Sequence, residues 1–155
     1  MNFSVRRLGP ADVDVLRLLA YEDDDFDLAG RGRPRSALTD EAARAYLHDT
    51  QMLHGVAEEG RMVVGHLQCH LLRKRAGDPV EVLLYEIGVR SAHRRQGVGR
   101  ALLEALQMWM TARQVSECWV LADNPVAVAF YRACGFGIAT PAPTYLTLVR
   151  QPSQS

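Results

Sequence analysis

An α/β (α+β) domain, with a mixed central sheet and helices on both faces, is the fold class this sequence predicts. Three observations carry it. Short β-rich runs alternate with segments of helical apolar periodicity. The chain has 155 residues, the usual size of one domain. Its composition, 48% apolar and 23% charged, is that of an ordinary globular protein. The expected order is β-α-α-β-β-β-α-β-α-β over residues 1–150, with "QPSQS" (151–155) as a polar tail.

"FSVRRL" (3–8) reads as the first strand. "GPADVDVLRLLA" starts a helix, with Pro10 placed in its first turn, Asp12 near its positive end, and Val13, Leu16 and Leu19 on one side. "RGRPRSAL" is a loop by its Gly, Pro and alternating Arg. Thr39 then caps a second helix, "DEAARAYLHD", whose first turn is acidic. "MLHGVAEEGRMVVGHLQCHLL" is a hairpin turning at Glu59–Gly60, and "RKRAGDP" separates it from a central strand, "VEVLLYEIGV" (80–89). "GVGRALLEALQMWMTARQ" is a long helix with an apolar face through Val98, Leu102, Leu106 and Trp109. Strand "CWVLA" (118–122), helix "NPVAVAFYRAC" (124–134) ending at Gly135, and strand "TYLTLV" (144–149) complete the expected domain.

Charge and composition exclude several partners. Lys plus Arg and Asp plus Glu number 18 each, so the formal net charge is zero, without the basic surplus that nucleic acid binding needs. No run approaches the roughly 18–20 apolar residues of a membrane span, and "MNFSVRRLGP" lacks a signal peptide's apolar core. Cys69, Cys118 and Cys134 are widely spaced, odd in number and set in apolar surroundings, which points to free thiols and a reducing, cytoplasmic setting. The five histidines form no metal-spaced cluster, although His66 and His70 share a strand face by parity.

The most informative stretch is "YEIGVRSAHRRQGVGRALL" (85–103). A strand runs through Arg94, Arg95, Gln96, Gly97, Val98 and Gly99 into an amphipathic helix. Glycines at a helix entry let backbone approach an anion, the first-turn amides lack intrahelical partners, and the helix dipole adds about half a positive charge. Together they make a seat for a pyrophosphate, with Arg94, Arg95 and Arg100 adding fork-shaped donors. The spacing is neither a Walker sequence nor a dinucleotide fingerprint.

This loop resembles the Arg/Gln-x-x-Gly-x-Gly/Ala acyl-CoA segment of the GNAT superfamily of N-acetyltransferases. "ADNPVAVAFYRACGF" (122–136) is similar to a second block of that superfamily, Asn-x-x-Ala-x-x-Phe-Tyr-x-x-x-Gly-Phe. The resemblance covers nearly the whole chain. It implies acetyl-CoA as co-substrate and a cleft where the strand carrying Ile87, Gly88 and Val89 splays from "CWVLA", taking the pantetheine arm as an added strand. An amide near Val89 would then face the thioester oxygen and stabilise the oxyanion. Asn124 would bind pantetheine or cap its helix, Tyr131 would protonate the departing thiolate, and a homodimer is implied by analogy.

Acyl transfer to an ammonium also needs a base. Glu86, a carboxylate within the apolar "LLYEIGV", is the leading candidate, because an unpaired charge there is costly and burial raises its pKa. A salt bridge to a loop arginine is the alternative. Asp123, at the end of the neighbouring strand, is a second candidate as base or substrate ligand, or else a helix cap.

"YEDDDFDLAG" (21–30) places Glu22, Asp23, Asp24, Asp25 and Asp27 around Phe26, beside Tyr21. Consecutive acids lack the calcium-loop pattern, so no metal is expected. In the resembled fold this segment arches over the acceptor pocket, and its acids would attract a cationic amine. Exposed pairs contribute only about 0.2–1 kcal/mol each, against about 8 kcal/mol for micromolar binding, so a pocket around Phe26 or Tyr21 must contribute too. "RRLGPADV", the acid-and-Phe stretch, "YEIGVRSAHRRQG" and "ADNPVAVAFY" are most similar to type I aminoglycoside 3-N-acetyltransferases. Glu86 stands where that group is expected to carry Asp, and "ADNP" is shorter than its loop. A peptide amine, another polyamine, and a non-catalytic acyl-CoA-binding role remain as alternatives.

Overall fold

The computed structural model describes residues 2–26, 37–75 and 77–150. The chain divides into two compact units, one ending at Ala122 and the other starting at Asp123. The first holds a five-stranded sheet in the order β1 (Ser4–Arg7), β2 (Met52–Glu59), β3 (Met62–Lys74), β4 (Gly77–Val89) and β5 (Glu117–Trp119). The first four strands are antiparallel neighbours, and β5 joins β4 in parallel, so the sheet is mixed and open.

The β2–β3 hairpin turns where expected, with Gly60 at φ +62°. The expected separator "RKRAGDP" is largely strand instead. β3 runs to Lys74 and β4 starts at Gly77, because cross-strand pairing continues as far as Lys74 opposite Gly77. β5 spans three residues rather than the expected five. The expected final strand at 144–149 is not formed. Among the described residues no ladder includes it, and Tyr145, Leu146, Leu148 and Val149 are exposed. Alternating apolarity makes a strand only when a paired edge satisfies its backbone.

Parity places the helices. Adjacent residues Gly65 and His66 of β3 point to opposite faces. A Cβ on Gly65 would come within 2.6 Å of Val98 and 3.2 Å of Leu102 in α3 (Val98–Ala112), so this helix lies nearly on the backbone of β3. Leu102 and Leu106 are buried with Val98, as the periodicity predicts, Leu103 joins them, and Trp109 is only half-buried. The opposite face carries α1 (Val13–Tyr21) and α2 (Asp40–His48), whose Leu16, Leu19 and Ala43 form a core with Val56 and Val63.

The caps refine the expected helix starts. Thr39 accepts from the Ala42 amide at 3.2 Å, as expected. Pro10 lies in a turn ahead of α1, outside the helix. Asp12 reaches back to the Gly9 amide at 2.7 Å and to Arg6 at 2.9 Å instead of capping the first helical amides.

In the second unit α4 (Pro125–Ala133) begins with Pro125 and is capped by Asn124, which accepts from the Ala127 amide at 2.8 Å. It ends at Gly135, φ +96°, with the Phe136 amide bonded to the Tyr131 carbonyl.

Candidate active site

The site is organised by β4. Its ladder with β5 is registered only from Glu81 opposite Glu117 to Leu83 opposite Trp119. Its ladder with β3 continues to Val89 opposite Gly65, with a register shift in which Gln68 faces Glu86 while Cys69 faces Leu84. Tyr85 is the extra residue of this bulge, which bends the strand and raises its local twist. Ile87, Gly88 and Val89 therefore lie on a stretch of β4 beyond the β5 ladder, where the splay was expected.

The backbone then turns through Ser91–His93 into the arginine loop. Arg95 (φ +62°) and Gly97 (φ +85°) are both left-handed, and Gly97 occupies the helix N-cap with no side chain to offer the first-turn amides of α3. Arg94, Arg95, Gln96 and Arg100 are exposed around this entry, Val98 is buried beneath it, and Gly99 follows in the first turn. Arg94 donates through Nε to the Val89 carbonyl at 3.3 Å, and Gln96 donates to the Ala92 carbonyl at 2.9 Å, pinning the loop to the strand end. The arrangement suits an anion: an uncapped helix start within a rim of exposed guanidinium groups.

On the α1/α2 face, the residues around Glu86 are buried and polar. The Glu86 side chain is 15% exposed, with Oε1 3.8 Å from Nε2 of His66. His66 stacks on His54 with centroids 5.3 Å apart, and Nδ1 of His54 is hydrogen-bonded to the Tyr46 hydroxyl at 2.9 Å. Burial pushes His66 down to about 4, and burial together with the neighbouring His66 pushes His54 down to about 3, so both rings are neutral at pH 7. Burial, and after it the Glu86 carboxylate, holds the Tyr46 hydroxyl protonated.

The acidic segment is placed differently from the expectation. Asp23–Phe26 is a short 3-10 turn, and Phe26 is 2% exposed. Rather than walling an open pocket, its ring meets His66 edge-on at 5.0 Å, while its Cβ and carbonyl oxygen occupy the space beside Gly88, where a Cβ would come within 2.8 Å and 3.1 Å of them. The clearance that Gly88 supplies on this face is thus taken up by the protein itself. Glu22 and Asp25 are not loose acids. Arg90 binds Glu22 through Nη2 and Asp25 through Nη1 at 2.7 Å, donates to the Val63 carbonyl at 2.6 Å, and lies over the Phe26 ring at 4.8 Å. Two carboxylates share one guanidinium, leaving about one uncompensated negative charge there. Tyr21 is exposed, and Asp27 lies outside the described residues.

The remaining candidates belong to the second unit. Asp123 accepts from the Asn124 amide group at 3.0 Å, and it is Asn124, not Asp123, that caps α4. Tyr131 is 8% exposed, in ring contact with Phe130 and Phe136. Sequence reasoning missed Tyr46, His54 and His66 as neighbours of Glu86, and Arg90 as the partner of Glu22 and Asp25. Shared parity of His54 with Gln68 and of His66 with Gly88 was the available signal, but it is informative only once the register is known. Among the described residues no group of three or more His, Cys, Asp or Glu could hold a metal, and no helix is long and apolar enough to cross a membrane.

Comparison with known proteins places this geometry. The profile of the acetyltransferase (GNAT) family matches residues 17–136. The ribosomal protein bS18-alanine N-acetyltransferase of Escherichia coli (strain K12) is 44% identical over 62 residues, 39% of this chain and 42% of that protein. The match thus spans less than half the length of this curated relative. An aminoglycoside acetyltransferase from an uncultured soil metagenomic sample has a similar structure, with a TM-score of 0.76 and 25% identity over 99% of this chain and 100% of that one. Another from such a sample, in complex with sisomicin, has a TM-score of 0.78 and 20% identity over 98% and 97%. A family match across most of the chain, on a mixed sheet whose fourth strand leads into an uncapped helix start, supports one statement: this chain belongs to the GNAT acetyltransferase family.

Proposed function

We propose that the protein moves an acetyl group from acetyl-CoA to a primary amine of a cationic small molecule, an aminoglycoside being the leading class and its 3-N position the leading target. The observation that carries this reading is the joining, on one strand, of the β4 edge beyond Leu83 to the uncapped start of α3. An extended arm could pair with the backbone of Ile87, Gly88 and Val89 while its pyrophosphate reaches the amides and arginines of residues 94–100.

In this reading the acceptor amine loses a proton to Glu86, with Asp123 as the second carboxylate, and attacks the thioester carbon directly. An amide near Val89 stabilises the oxyanion. The C–S bond then breaks as Tyr131 gives its proton to the departing thiolate, and the second proton lost from the attacking nitrogen restores the phenol, giving an N-acetyl amide and coenzyme A. Asn124 adds a contact to the pantetheine arm. Tyr21, Glu22, Asp23, Asp24, Asp25 and Asp27 form the acceptor's cationic recognition segment, with Phe26 as its buried anchor. The three free cysteines accord with a reducing, cytoplasmic setting.

A second reading, acetylation of a protein's N-terminal alanine, is favoured by the named activity of the curated relative. Thiol release from acetyl-CoA across aminoglycosides, spermidine and an alanine-terminated peptide separates the two. Aminoglycosides are expected to give kcat/KM about tenfold or more above the peptide, since two or more matched charged contacts at up to about 1 kcal/mol each reach the roughly 1.4 kcal/mol of a tenfold change. Turnover of the peptide alone overturns the first reading.

A further inference from the structure

Glu86 and Gly88 share a face of β4, and β3 presents Gln68 and His66 opposite them. His66 therefore approaches Glu86 along the diagonal of the ladder, within reach of a side-chain contact. Its ring is clamped from several sides: Phe26 edge-on, His54 stacked against it, and the bare Cα of Gly88, where a Cβ would lie 3.1 Å from Nε2. His54 is itself held by Tyr46 of α2. Among the described residues Nδ1 of His66 has no hydrogen-bond partner, so Nε2 is the ring nitrogen with polar company.

We propose that His66 is a positioning residue for Glu86: the clamped imidazole presents its Nε2–H to the carboxylate, orients it, and favours its ionised, proton-accepting form. The proposal rests on the reading of Glu86 as the base. A base in a part-buried site must remain ionised until the ammonium arrives. A fully charged neighbour would hold the carboxylate ionised at the expense of its basicity, whereas a neutral N–H supplies only a dipole. His66 is neutral at working pH because burial disfavours its charged form.

The other titratable or charged groups around the cluster are Tyr46 and the nearby Asp49 from the α2 end, His54 from β2, Cys69 and His70 from β3, and Arg90 with its partners Glu22 and Asp25. A substitution at His66 leaves all of them in place.

The test is the pH profile of kcat/KM for acetyl transfer in the wild type, His66→Phe, His66→Gln and His70→Gln. Loss of the dipole disfavours the carboxylate, so the acid limb of His66→Phe should move upward by about half a pH unit. Its loss should then be greater at pH 6 than at pH 8, approaching about threefold where the pH lies well below the limb. His66→Gln, which keeps an N–H near Nε2, should restore most of the profile, and His70→Gln should leave it unmoved. Coenzyme A affinity within about twofold of wild type confirms that the variants are folded. A pH-independent loss in His66→Phe, or no rescue by His66→Gln, overturns the proposal and leaves the proposed function standing.

Nitrogen-15 NMR of the imidazoles in the intact protein gives a readout independent of turnover. His66 should hold the neutral Nε2–H tautomer from about pH 5.5 to 8 and shift in Glu86→Gln. An Nδ1–H tautomer, or protonation within that range, overturns the proposal. The expected tautomer with no acetyl transfer to any amine overturns the reading of Glu86 as base and this proposal with it.

Discussion

The Glu86 stretch of β4 and the arginine loop that follows it lie only a few residues apart, yet they hold polar groups in opposite ways. Around Glu86, Tyr46, His54 and His66 are desolvated and fixed by ring contacts. Around Gly97 the arginines are exposed, and the order lies in the backbone, with left-handed residues at Arg95 and Gly97 leaving the helix start uncapped. The difference accords with the roles proposed for the two regions. A diffusible polyanion is best met by solvated charge and preset amides, whereas a proton acceptor must have its basicity set by burial. One region is therefore sensitive to pH and packing, and the other to backbone conformation and salt.

The largest effect expected from breaking this contrast is on turnover. Glu86→Gln should lower kcat by about 10²–10⁴-fold, or about 3–5 kcal/mol in the barrier. Its coenzyme A affinity, measured by calorimetry, should stay near wild type, because the anion seat is untouched. An equal loss of both would merge the two regions into one site.

Next comes acid stability. His54 and His66 are pushed in the folded protein to about 3 and about 4, below the usual histidine value of about 6.5, so the unfolded state binds protons first as pH falls. Their contribution is complete above about pH 6.5 and is lost between there and about pH 4 for His66 and about pH 3 for His54. At pH 5 each should cost about 2 kcal/mol relative to pH 7. Urea midpoints of wild type and His54→Phe across this range read the slope, which should be shallower in the variant; parallel slopes would remove His54 as a buried neutral group.

The smallest effect is at the loop. Gly97→Ala forces a side chain into the left-handed region and should cost about 1–2 kcal/mol of stability. It should also weaken coenzyme A binding at low salt, without altering the pH dependence that belongs to the histidines. Thermal melts with and without coenzyme A check both.

Much of the fold was legible because local chemistry and tertiary context agree. Thr39 capping α2, Gly60 turning the hairpin, Pro125 and Asn124 opening α4, and the Val98–Leu106 face of α3 each follow from a few neighbouring residues. The exceptions involve partners distant in sequence. The strand expected at 144–149 needs an edge to pair with, whereas β5 ends at Trp119 although β4 runs on to Val89. Pro10 sits ahead of α1 because Asp12 is drawn to Gly9 and Arg6.

The candidate site divides similarly. The arginines, glycines and positive helix start were readable from one continuous stretch, since every group needed lies within residues 94–100. The histidine cluster was not. Its members come from α2, β2, β3 and β4, and a one-residue change of register would turn His66 away from Glu86. Nor could composition show that Arg90 joins Glu22 and Asp25, which are 68 and 65 residues away along the chain. The sequence by itself determined the family and the glycine-lined entry to α3, because these depend on φ preferences, helix ends and spacing along one segment. Only the tertiary structure decided which charges stay exposed and which polar groups surround Glu86, because desolvation and cross-strand contact do not exist until the sheet is paired and α1 and α2 cover it.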